Sequence, residues 1–163
     1  MENNTKNFQK AVPVSKLTFS IEGKAKAKQS MRQAKWGNYM TSLDVVEYAN
    51  WVKLNFRMVY PQHDCKVFED KPLQIIVDEY REVPKTKPKW CKEKNYKAFV
   101  DKALADKIRP IVKPDTDNIS KNIKDALNKL AYPDDSQVVT EVIRKWYANK
   151  SMVRVSISEL EQA

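Results

Sequence analysis

The sequence predicts a single α+β domain, α/β in the broad sense, and three observations carry that prediction. Apolar and polar residues alternate at Leu17, Phe19 and Ile21 and again at Leu73, Ile75 and Val77, which is the period of strands. Between those runs Val45, Tyr48, Ala49, Val52, Phe56 and Val59 recur at the spacing of one helix face. A chain of 163 residues suits one domain, and no repeat or linker-like tract divides it.

Taken in order, residues 1–15 are polar, lack a usable period and read as a loose tail, so the domain is expected to occupy residues 16–163. The first strand ends at Glu22-Gly23. Residues 23–43 then carry Lys24, Lys26, Lys28, Arg32 and Lys35 without an acid, with Trp36 and Tyr39 interleaved, and read as a basic loop with a short strand near Tyr39. Ser42 is a favourable N-cap for the helix that follows, and Pro61 stops it. A second strand is expected over Lys71–Arg81. Beyond Pro84 and Pro88, residues 89–107 read as helix, with Trp90, Tyr96, Phe99, Val100 and Ala103 as packing positions. Another helix is expected from Thr116 to Leu130. Two closing strands follow, one marked by Val138, Thr140, Val142 and Trp146 and one by Val153, Val155 and Ile157. Asn149-Lys150 reads as a hairpin turn between them.

Composition narrows the function classes. With only two glycines, Gly-rich phosphate loops are excluded. The net charge of +9 favours a polyanionic partner, and Lys85–Lys113, with ten basic and three acidic residues, contributes most of it. Cys65 and Cys91 match no zinc or redox spacing, and His63 adds too few ligands for a zinc site. Free thiols in a reducing cytosol are the expectation. MENNTKNFQK lacks the apolar core of a signal peptide, and no apolar run has the length of a membrane span. The expected location is therefore cytoplasmic, with no membrane partner.

The segment KPDTDNISKNIKDALNKLAYPDDSQVV, Lys113 to Val139, carries the chemistry. At 100° per residue, Ile119, Ile123, Ala126, Leu127 and Leu130 share one helix face, and Asp117, Lys121, Lys124 and Asn128 share the opposite one. Asp115 stands where its carboxylate can cap the helix, and Asp117 where it can favour the positive end of the helix dipole. Asp134-Asp135, taken alone, fits a turn. Should the four carboxylates converge, their repulsion would be relieved by a hard divalent cation. Such a cation activates water and polarises a phosphoryl oxygen. Lys121, one turn beyond Asp117, is placed to stabilise the phosphate's charge, or else to pair with Asp117 or Asp125.

The pattern K-P-D-x-D-N-x-x-K, then D-A-L-N, then D-D-S-Q-V, resembles the RusA family of Holliday-junction resolvases over residues 113–139. The strand and basic loop around Gly23–Arg32 resemble its N-terminal half more weakly. The resemblance implies a homodimer with a mixed β-sheet flanked by helices that binds four-way or branched DNA. It implies paired, symmetric strand cuts that resolve junctions in recombination and repair, with Mg2+ or Mn2+ as the metal. By the same resemblance Asp115, Asp117 and Asp135 match the essential aspartates and Lys121 the important lysine. Asp134 matches the acid beside Asp135 and joins the other three as a metal ligand, and Asn118 matches a supporting asparagine. The chain departs from the pattern at Lys129, where many members carry glycine, and at Pro133.

For holding DNA, Lys24, Lys26, Lys28, Arg32, Lys113 and Lys124 are the candidate phosphate contacts. Trp36, Tyr39 and Trp90 are stacking candidates, although core packing is the better expectation for each. Two alternatives compete with a nuclease. One is a protein that binds branched DNA without efficient cleavage. The other is a small structural protein whose acids only cap a helix and shape a turn.

Overall fold

In the computed structural model, residues 16–26, 32–33, 39–40 and 43–161 are described, with 32–33 and 39–40 as backbone only. In chain order the elements are β1 (Lys16–Glu22), β2 (Arg32–Gln33), β3 (Tyr39–Met40), α1 (Leu43–Val59), β4 (Leu73–Glu82), α2 (Tyr96–Leu104), α3 (Thr116–Leu127), β5 (Val138–Ala148) and β6 (Met152–Glu159). The expected short strand near Tyr39 is β3, paired with β2. The N-terminal tail, Lys28, Lys35, Trp36, Ser42 and the side chains of Arg32 and Tyr39 lie outside the described residues.

Four strands form one mixed sheet in the order β1-β6-β4-β5. β6 runs antiparallel to both β1 and β4, and β5 runs parallel to β4. Alternation puts Leu17, Phe19 and Ile21 of β1, Leu73, Ile75 and Val77 of β4, and Val153, Val155 and Ile157 of β6 on one buried face. α1 covers that face with Tyr48, Val52 and Phe56, and α3 with Ile119, Ile123, Ala126 and Leu127. Val59, expected on the buried stripe of α1, is exposed. A smaller cluster joins Phe99 and Ala103 of α2 to Cys91 and to Tyr147 of β5, with Trp90 packed against it.

Three expectations need correction. Asn149-Lys150 is not a hairpin turn, because β4 lies between β5 and β6. A parallel β4–β5 pair needs a long crossover, which the segment carrying α2 and α3 supplies. The chain leaving β5 then passes the end of β4, where the Val83 amide donates to Ala148 O and the Glu82 amide to Ser151 Oγ. Helix does not span 89–107. It begins only at Tyr96, because Asn95 caps it through the Ala98 amide at 2.9 Å. The third helix ends at Leu127 rather than Leu130: Asn128 is extended, Lys129 has φ 60°, and the Leu130 amide returns to Leu127 O in a tight turn. Among the described residues no helix is long and apolar enough to cross a membrane.

Candidate active site

Asp115 and Asp117 stand at the head of α3, directly after Pro114. Asp115 occupies the N-cap position with extended backbone, yet its side chain makes no capping hydrogen bond. Asp117 lies in the first turn, and both residues are exposed. Neither carboxylate is therefore spent on capping, which removes the simplest structural role for Asp115. The first-turn amides and the helix dipole favour negative charge at this end. Lys121 is exposed on the same face, and among the described residues it makes no ion pair.

Basic residues border this end of α3. The Asn122 side chain, buried on the helix, donates to Lys26 O at 2.9 Å and ties the start of the basic loop to α3. Lys24 and Lys113 line a cavity of about 280 Å³ together with Pro114, Glu79, Arg81 and Ser151. Lys26 lies 3.9 Å from Asp44, and both side chains are well exposed. Lys124 differs, because its ammonium contacts Glu141 Oε2 on β5 at 2.7 Å.

Three residues that were not singled out from the sequence hold the turn before Asp115. Arg81 Nη1 donates to Val112 O at 3.2 Å and to Lys113 O at 2.6 Å. Lys145 Nζ donates to Val112 O at 2.6 Å and to Pro114 O at 3.0 Å. Glu79 Oε1 accepts from Arg81 Nε at 2.8 Å. Burial and the Arg81 charge press the Lys145 pKa below its ordinary value, while Glu79 and Asp115 oppose them. One signal was available in the sequence: the alternation Leu73, Ile75, Val77 continues to Glu79 and Arg81, which puts charge at inward-facing strand positions.

The second acid pair lies at the opposite end of α3. Tyr132 Oη donates to Lys124 O at 3.1 Å, and the nearby charges of Asp135, Asp125 and Glu141 add to burial in raising the Tyr132 pKa. Asp134 caps the 3-10 turn Asp135–Gln137: its Oδ1 accepts from the Ser136 amide, and Gln137 Oε1 accepts from the Asp134 amide. The bonds from Ser136 hold the Asp134 carboxyl below the usual carboxylate range against a small opposing effect of burial, with the Lys129 charge adding to them. Asp135 is exposed. With a rise of about 1.5 Å per residue, the stretch from Asp115 to Lys124 spans about 14 Å. The expected meeting of all four carboxylates therefore does not occur within one chain. Among the described residues no group of three or more His, Cys, Asp or Glu side chains is disposed to hold a metal ion.

A family model described as endodeoxyribonuclease RusA matches residues 21–158. Across 112 residues, the chain is 37% identical to YqaN of Bacillus subtilis (strain 168), a protein described as uncharacterized; the match covers 69% of this chain and 75% of that one.

Proposed function

The chain belongs to the RusA endodeoxyribonuclease family, and from that premise we propose a divalent-metal-dependent endonuclease that resolves four-way and related branched DNA by paired cuts in recombination and repair. The observation that carries this reading is the pair of exposed carboxylates at the head of α3, Asp115 and Asp117, bordered by Lys24, Lys113 and Lys121. A donor set made of carboxylate oxygens suits Mg2+ or Mn2+ with retained waters. Bound there, such an ion supplies an activated water and polarises the scissile phosphate. Lys121 then stabilises charge that develops on the phosphate, and Lys24 and Lys113 hold the backbone of the strand.

A single metal ion sits about 2 Å from its ligands, far less than the length of α3. Asp135 therefore joins Asp115 and Asp117 only if it comes from a second copy of the chain. A two-fold dimer does this twice, placing the tail of one α3 beside the head of the other. Two equivalent sites then face two opposed strands of a junction. Asp134 serves mainly by capping the turn that presents Asp135.

The test is cleavage of a synthetic four-way junction beside a linear duplex. The purified chain should nick the junction with Mg2+ or Mn2+ and not with EDTA. Asp117→Asn and Asp135→Asn should each lose cutting while retaining junction binding. Mixing the two inactive variants should restore about a quarter of the wild-type sites, since half the dimers are mixed and each of those keeps one intact site. Binding without any cutting by the wild type would favour a branched-DNA-binding protein, a reading supported by the absence of a three-ligand group within one chain among the described residues.

A further inference from the structure

We infer that Arg81, Lys145 and Glu79 act as positioning residues for Asp115, through a clamp on the backbone that precedes it. The inference rests on the reading of Asp115 as a metal ligand.

Residues 105–115 form neither helix nor strand, so their carbonyls find no partners in a ladder. Val112 O, Lys113 O and Pro114 O, three in succession, are instead met by two cations reaching up from the sheet, Arg81 on β4 and Lys145 on β5. The next residue is Asp115, whose own carbonyl accepts the Ile119 amide at 3.2 Å as α3 begins. The clamp therefore fixes the chain up to the helix start and leaves the carboxylate itself available. Among the described residues Lys145 forms no ion pair, so its charge goes to the carbonyls.

Glu79 makes the arrangement rigid. Its side chain is only 4% exposed and that of Arg81 15%, so the bond between them operates away from solvent, where electrostatic attraction is stronger. Strand pleating sets both residues on the face that otherwise buries Leu73, Ile75 and Val77. Placing charge there carries a desolvation cost that an apolar pair would avoid. A structural turn alone does not require that cost, whereas a metal ligand that must be held within about half an ångström does. Misplacement of a reacting group by about 1 Å lowers rates by about a hundredfold.

Arg81→Met alone would leave Glu79 buried without its partner, so the informative variants are Lys145→Met and the double change Glu79→Gln/Arg81→Met. In each, the Ile119 amide should exchange with solvent about tenfold faster, while amides in the middle of α3 keep their protection. The Mg2+ concentration for half-maximal junction cutting should rise about tenfold, with junction affinity in Ca2+ unchanged. Lys145→Arg, which keeps the charge and donors, should recover most of both properties. Wild-type exchange at Ile119 in both variants would overturn the clamp, and faster exchange with unchanged metal dependence would overturn its positioning role. A wild type that never cuts would defeat the nuclease reading instead, and the exchange measurement would still decide the clamp.

Discussion

Asp115 and Asp134 both stand immediately before a helical turn, and their carboxylates are used differently. Asp134 accepts from the Ser136 amide and completes a reciprocal cap with Gln137, whose side-chain amide nitrogen also donates to Phe68 O and Lys71 O. Asp115 makes no such bond. Removing the two side chains should therefore have unequal consequences. Asp134→Ala should lower the urea midpoint, whereas Asp115→Ala should leave stability within about 0.5 kcal/mol of wild type, as for a surface change that breaks no cap. Denaturation of the two variants side by side checks this. An equal loss in both would mean that Asp115 caps α3 in solution, and its availability to a metal would go with it. From the sequence the two positions look alike, since side-chain identity does not reveal which hydrogen bond a carboxylate makes.

At the scale of elements, the turn that ends α3 explains why Lys129 departs from the family pattern at a cost. Asn128 has φ −58° and ψ 132°, Lys129 has φ 60°, and the Leu130 amide closes on Leu127 O at 3.0 Å. This is a turn whose third residue favours glycine. The left-handed conformation costs a side-chain-bearing residue roughly 1–2 kcal/mol, and glycine's greater freedom when unfolded takes back about 0.5–1 kcal/mol of the relief. Lys129→Gly should therefore stabilise the fold by about 0.5 kcal/mol, readable in chemical denaturation. A destabilised variant would show that the lysine side chain contributes more than its backbone costs. The helix itself was legible because Ile119, Ile123, Ala126 and Leu127 repeat with its period. Its C-terminal boundary was not, because Leu130 continues that period while the backbone has already left the helix.

For the whole molecule, the side of the sheet away from α1 and α3 links its strands by charge. Arg144 of β5 donates to both carboxylate oxygens of Asp78 on β4, at 2.6 and 2.7 Å, and Trp146 Nε1 adds a third bond at 2.8 Å. Burial of Asp78 works against ionisation, but the bonds from Arg144 and Trp146 and the charges of Arg144 and Arg154 outweigh it, so its pKa is lowered. A carboxyl whose pKa is lower folded than unfolded stabilises above the unfolded value, and that stability is lost as pH falls through the folded one. The contribution should thus be complete at neutral pH and fade below about pH 4. Asp78→Asn should be less stable than wild type at pH 6, with the gap narrowing at pH 3, by urea denaturation. A constant gap would assign the effect to packing. The basic tract Lys85–Lys113 is also partly used within the chain, where Lys97 meets Asp101, Lys102 meets Glu93 and Lys87 donates to Cys91 O. The number of basic residues in that tract therefore overstates how many remain for DNA.

By itself the sequence determined the strand and helix periods, the buried faces they imply, the acid and lysine spacing around α3, and the family those blocks resemble. Each is a local property, written in residues a few positions apart. The tertiary structure alone decided that β4 separates β5 from β6, that Glu79, Arg81 and Lys145 gather behind Asp115, and that the two acid pairs sit at opposite ends of α3. Those outcomes follow from which elements pack together. That choice joins residues tens of positions apart, and no local period records it.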